Sequence, residues 1–65
     1  MHIDTDYIRE RKEESGVTWK YISKQTGIKQ AALSRKMHGN LPWSLTDVWA
    51  MSQYLGCTVD RLVKP

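Results

Sequence analysis

Apolar positions along the chain recur in one local arrangement: an apolar residue, a cap position, and a second apolar residue four places after the cap. Ile3–Asp4 leads to Ile8, Val17–Thr18 to Ile22, Ile28–Lys29 to Leu33, Trp43–Ser44 to Val48, and Cys57–Thr58 to Leu62. This is the sequence form of a hydrophobic staple, in which the residue before the N-cap packs on the fourth helical residue. Four of the five cap positions hold Asp, Thr, Ser and Thr, whose side-chain oxygens can accept a free first-turn N–H. Ser44 and Asp47 also have capping-box spacing, with Asp in place of the usual Glu. Gly16, Gly27, Gly39 and Gly56 fall where these helices should stop. The pattern predicts helices over residues 4–14, 18–26, 29–38, 44–55 and 58–63. Leu45, Val48, Met51 and Leu55 add the three- and four-residue spacing of a buried helix face, and no segment sustains the alternation of a strand. The expected fold is all-α, a compact five-helix domain spanning residues 1–65.

Size and composition narrow the function. A 65-residue chain suffices for one small helical core but not for a substrate-sized internal cavity. Cys57 is the only cysteine, so no internal disulfide can form, which fits a reducing, cytoplasmic setting. There is no long apolar run and no signal-peptide layout, so no membrane span is expected. His2, His38 and Cys57 lack the spacing of a zinc site, and the glycines form no phosphate-binding loop. Glu10, Glu13 and Glu14 sit on the first predicted helix, where they can pair with Arg9, Arg11 and Lys12; Arg11 could instead bridge helices. Cys57 reads as a small buried residue. The expectation is a non-enzymatic domain with no metal, cofactor or small-molecule effector.

Charge changes that picture most. Residues 17–40 hold Lys20, Lys24, Lys29, Arg35 and Lys36 and not one acidic residue. The first sixteen residues sum to −2, with Arg9, Arg11 and Lys12 against Asp4, Asp6, Glu10, Glu13 and Glu14. In residues 41–65, Arg61 and Lys64 balance Asp47 and Asp60, so the middle segment supplies more than the whole net charge of +3. A basic segment placed on one structural unit points to a polyanionic partner.

That segment, Thr18-Trp-Lys-Tyr-Ile-Ser-Lys-Gln-Thr-Gly-Ile-Lys-Gln-Ala-Ala-Leu-Ser-Arg-Lys-Met-His-Gly39, resembles the helix-turn-helix of the Cro/phage-repressor-like (XRE-type) family. The marks are small Ser23 four residues before Gly27, apolar Ile22, Ile28 and Leu33, and the closing Gly39. Residues 45–62 look like the family's fourth and fifth helices, and the Leu33–Gly39 ending is similar to regulators of actinobacteria and their phages. The resemblance implies a helix-turn-helix over about residues 18–38, with helix 29–38 lying in the major groove. The chain departs from the family at Ser23, where Ala is usual, at Thr26, usually aliphatic, at Trp19, often Gln, and at Lys36.

On this resemblance the base-reading residues are Gln30, Ala31, Ser34 and Arg35, opposite the inward stripe of Leu33 and Met37. Gln can bridge the N6/N7 edge of adenine, Arg can fork onto guanine O6/N7, and the Ala methyl can meet a thymine methyl. Candidate phosphate contacts are Thr18, Trp19, Lys20, Lys29, His38 and Asn40, none of which would specify sequence. Lys29 opposes the helix dipole and cannot cap; it is either a phosphate contact or a tolerated exposed cation. Thr18 can cap or donate to phosphate, and Trp19 can donate its indole N–H or cover core. Trp49 and Tyr54 admit two readings, core rim and self-association surface. The expected function is sequence-specific binding to double-stranded operator DNA by a Cro- or repressor-type regulator, with a homodimer formed at least on DNA. The alternatives are a protein-interaction module of antitoxin or adaptor type, and non-specific nucleic-acid binding.

Overall fold

Four of the five helix starts carry a side-chain cap. In a computed structural model, which describes residues 2–64, the Asp4, Thr18, Ser44 and Thr58 side chains accept from the backbone N–H of Tyr7, Tyr21, Asp47 and Arg61. The helices that follow are α1 (Thr5–Ser15), α2 (Trp19–Thr26), α4 (Leu45–Leu55) and α5 (Val59–Leu62). Between them α3 (Gln30–Met37) begins at Lys29 with no side-chain cap. Ser44 and Asp47 complete a reciprocal capping box. At the end of α3, Gly39 adopts φ 79° and hands its N–H to Lys36 O, while Asn40 N–H reaches back to Arg35 O at 2.8 Å. That pair of bonds is a Schellman stop, and it needs the left-handed conformation glycine enters without strain.

The inner partners of the five staples are core residues. Ile8, Ile22, Leu33, Val48 and Leu62 are buried, joined by Ile28, Met37 and Met51. The outer partners Ile3, Val17, Trp43 and Cys57 are partly buried against that cluster. One arrangement of six residues therefore both starts each helix and aims its first apolar turn inward.

The structure adds one element that the sequence pattern did not predict. β1 (His2–Ile3) pairs antiparallel with β2 (Val63–Lys64), His2 opposite Lys64 and Ile3 opposite Val63. Two residues per strand are too few for alternation to register. Asp4 anchors the ribbon: its N–H donates to Leu62 O at 2.7 Å, and its carboxylate lies 3.2 Å from Arg61 and 3.8 Å from Lys64. The hydrogen bond from Tyr7 N–H, reinforced by Arg61 and Lys64, holds the Asp4 carboxyl below the usual range against partial desolvation. The Arg61 guanidinium also stacks 3.8 Å from the Tyr7 ring centroid.

The guanidinium groups of α1 bridge helices, the alternative given above for Arg11, instead of pairing with the glutamates. Among the described residues, no ion pair joins Arg9, Arg11 or Lys12 to Glu10, Glu13 or Glu14. Arg9 pairs with Asp6 and donates to Met37 O, and Arg11 donates to Leu55 O at 3.3 Å. The final carbonyls of a helix lack intrahelical donors and carry the negative end of its dipole, so guanidinium groups settle there. No helix among the described residues is long and apolar enough to cross a membrane.

Lys36 and Asp47 tie α3 to α4. Their Nζ–Oδ2 distance is 2.8 Å, with the side chains only 10% and 21% exposed. Partial burial disfavours the Asp47 carboxylate, but hydrogen bonds from Lys36 and Ser44 and the Lys36 charge outweigh it and hold the group below the ordinary range. A depressed value in the folded state means the contribution is complete above the unfolded value, about 3.9, and is lost as pH falls below it. Asp47→Asn should therefore lower stability at pH 7 by about 1 kcal/mol, and the gap should narrow as pH falls from 7 to below about 3.9. Urea midpoints across that range test it; a gap unchanged by pH would refute the assignment. Leu33→Ala should remove about 3 kcal/mol, comparable to what a core of this size supplies, and leave the helical circular-dichroism signal largely lost at room temperature.

Candidate nucleic-acid interface

The connection between α2 and α3 is only Gly27-Ile28-Lys29, and hydroxyl groups fasten it. Ser23 Oγ donates to Ile28 O; Thr26 Oγ1 donates to Ile22 O at 2.8 Å and accepts from Ile28 N–H at 3.3 Å. Gly27 sits at φ 78° and donates its N–H to Ser23 O. Both Ser23 and Thr26 are small enough to fit a close turn. Their hydroxyls do more, satisfying backbone groups that a tight turn strips of helical partners. An alanine at residue 23 would pack as well but leave the Ile28 carbonyl without that donor.

Burial then sets which side of α3 faces out. Leu33 and Met37 are buried and Ala32 is half-buried. Lys29, Gln30, Ala31, Ser34 and Arg35 are all exposed. Residues 30, 31, 34 and 35 follow three- and four-residue spacing, so they occupy one face. Their side chains are an amide, a methyl, a hydroxyl and a guanidinium, which together can donate, accept and make apolar contact.

The flanking candidates fall into three kinds. Lys20 and Asn40 are exposed. Thr18 is exposed but its hydroxyl oxygen is the α2 cap, accepting from Tyr21 N–H at 3.2 Å. Trp19 is half-buried against the core, with Lys12 Nζ 5.2 Å from its ring centroid. Trp19 thus covers core, and it brings to the start of α2 a cation from α1 that the acid-free segment did not reveal. His38 is exposed and its Nδ1 lies 2.8 Å from Ser34 O. Since a carbonyl only accepts, Nδ1 carries the proton, and Nε2 can donate outward only from the doubly protonated ring.

Trp49 and Tyr54 do not share a surface. Five positions apart on α4, they point about 140° from one another. Tyr54 is half-buried and meets exposed Tyr21 edge-on, ring centroids 6.3 Å apart. Trp49 is 57% exposed and Leu45 70% exposed; with Thr46 and Val59 they line a shallow groove between α4 and α5. Tyr54 therefore follows the core-rim reading and Trp49 does not. Among the described residues, no three His, Cys, Asp or Glu side chains come together as a metal site could require. Comparison with known proteins finds no matching family model, no matching curated protein and no matching solved structure.

Proposed function

We propose that this protein binds double-stranded DNA sequence-specifically through a helix-turn-helix formed by α2 and α3, as a cytoplasmic Cro- or repressor-type regulator. The observation that carries the reading is the exposed face of α3. Gln30, Ala31, Ser34 and Arg35 lie together on it, inside a stretch of 24 residues without a carboxylate. A helix laid in the major groove presents such a face to base edges. Lys20, Lys29 and Asn40 flank it as phosphate contacts, with His38 beside them. With a phosphate nearby, the uncapped N-terminus of α3 and the Lys29 charge both become favourable.

The dimensions support two copies on an operator. The backbone extends at most 28 Å, shorter than the roughly 34 Å between successive major grooves on one side of the duplex. One copy can occupy one half-site, so an inverted repeat requires a pair. Exposed Leu45 and Trp49, with half-buried Val59 beside them, form the self-association surface in this reading, replacing the joint Trp49 and Tyr54 surface. The same surface is the one observation favouring a protein-interaction module instead, since apolar exposure also marks partner binding.

Selection from a random duplex library at near-physiological salt tests the proposal. An enriched inverted repeat is the expected result; no enrichment by folded protein would remove sequence reading and leave the interaction module or non-specific nucleic-acid binding. On the selected duplex, Gln30→Ala and Arg35→Ala should each weaken binding about 10- to 100-fold, by loss of a bidentate contact of about 1–3 kcal/mol. Each should also relax preference at one base position. Lys20→Met should weaken all duplexes alike and reduce the salt slope by about one.

A further inference from the structure

We propose that Lys36 is a positioning residue of the DNA interface, which fixes residues 38–40 against the phosphate backbone without itself meeting a phosphate. The inference rests on the DNA-binding reading above. By sequence Lys36 belongs with the cations of the acid-free segment, yet its place in the fold is different. Its ammonium is committed inward, 2.8 Å from Asp47 and donating to Pro42 O at 3.1 Å. Its own carbonyl accepts from Gly39 N–H and from the Trp43 indole at 3.2 Å. One residue thus holds four points: the end of α3, the Gly39 turn, Pro42–Trp43, and the first turn of α4.

The segment so held carries His38, Gly39 and Asn40, all exposed. Its other bonds run to the same helix, Asn40 N–H to Arg35 O and His38 Nδ1 to Ser34 O. A phosphate contact made by Asn40 therefore inherits its position from α3 and α4 together. Without the Lys36 side chain, the stretch between the Gly39 turn and Ser44 keeps, among hydrogen bonds of the described residues, the Trp43 indole bond to α3, beside the packing of Trp43 on the core. Contacts across a charged backbone depend on preorganised geometry, because each loop conformer frozen on binding subtracts from affinity.

The sign of one substitution separates positioning from contact. If Lys36 were a phosphate contact restrained by Asp47, Asp47→Asn would free a cation, remove a negative charge, tighten binding and steepen the salt dependence. Positioning requires the opposite. Lys36→Met and Asp47→Asn should each weaken the selected duplex about 3- to 10-fold. The slope of log affinity against log salt should stay within error of the parent, whereas a lost phosphate contact lowers it by about 0.9. Asn40→Ala should weaken the parent several-fold and cost less in the Lys36→Met background, where the turn keeps its backbone bonds to Arg35 and Lys36 but loses its anchors at Pro42 and Asp47. Circular dichroism restricts the comparison to temperatures at which every variant is folded, and Asp47→Asn serves alone if Lys36→Met fails there. Tighter binding by Asp47→Asn, a reduced slope for Lys36→Met, or full additivity with Asn40→Ala overturns the proposal. Absence of any duplex selection by the parent fails the DNA reading itself, and with it this role.

Discussion

The burial of Leu33 and Met37 is the constraint on which the candidate interface depends. A helix of eight residues has little stability of its own and takes its rotation from whatever apolar side chains it can bury. With Leu33 and Met37 directed into the cluster of Ile22, Ile28, Val48 and Met51, the remaining positions have no freedom to choose. Gln30, Ala31, Ser34 and Arg35 face outward because their neighbours face inward. The chemistry of the surface is thus a consequence of packing on the other side of the same helix.

How much of this was legible in the sequence depends on the range of each interaction. Caps and staples act over four or five residues, and residues 3–8, 17–22, 28–33, 43–48 and 57–62 each spell one out. Helix starts and the inner partners could therefore be read directly. The outward face of α3 followed from the same spacing. Charge placement was less legible, since a cation's partner is fixed by tertiary position. Lys36 counts toward a basic segment until Asp47, eleven residues later, is brought beside it by the turn at Gly39. Arg11 sits among glutamates in sequence but finds the end of α4 in space. Trp49 and Tyr54 looked equivalent beside the α4 stripe, and only the packing of Tyr54 on Tyr21 separates them.

Polar groups carry more of the local architecture than the apolar pattern suggests. Ser23 and Thr26 close the short turn after α2 with hydroxyl bonds. Ser52, the one buried polar side chain among the described residues, donates to Trp49 O at 2.6 Å. Guanidinium groups of α1 finish the ends of α3 and α4. In a domain with so few fully buried residues, each unsatisfied backbone group would be a large share of net stability.

The ribbon between residues 2–3 and 63–64 gives the chain a definite order of assembly. Each helix start forms from neighbouring residues, whereas this pairing must bring together positions 60 residues apart and pays the entropy of closing that loop unless the helices have already done so. Its rung bonds therefore belong to the end of folding, and they are the first to part when the native state fluctuates. The α2–α3 unit lies near the middle of the sequence, and the hydroxyl bonds that close its turn span five residues or fewer. Opening at the ribbon can thus come and go, as amide exchange at Ile3 and Val63 would register, while α3 keeps its orientation.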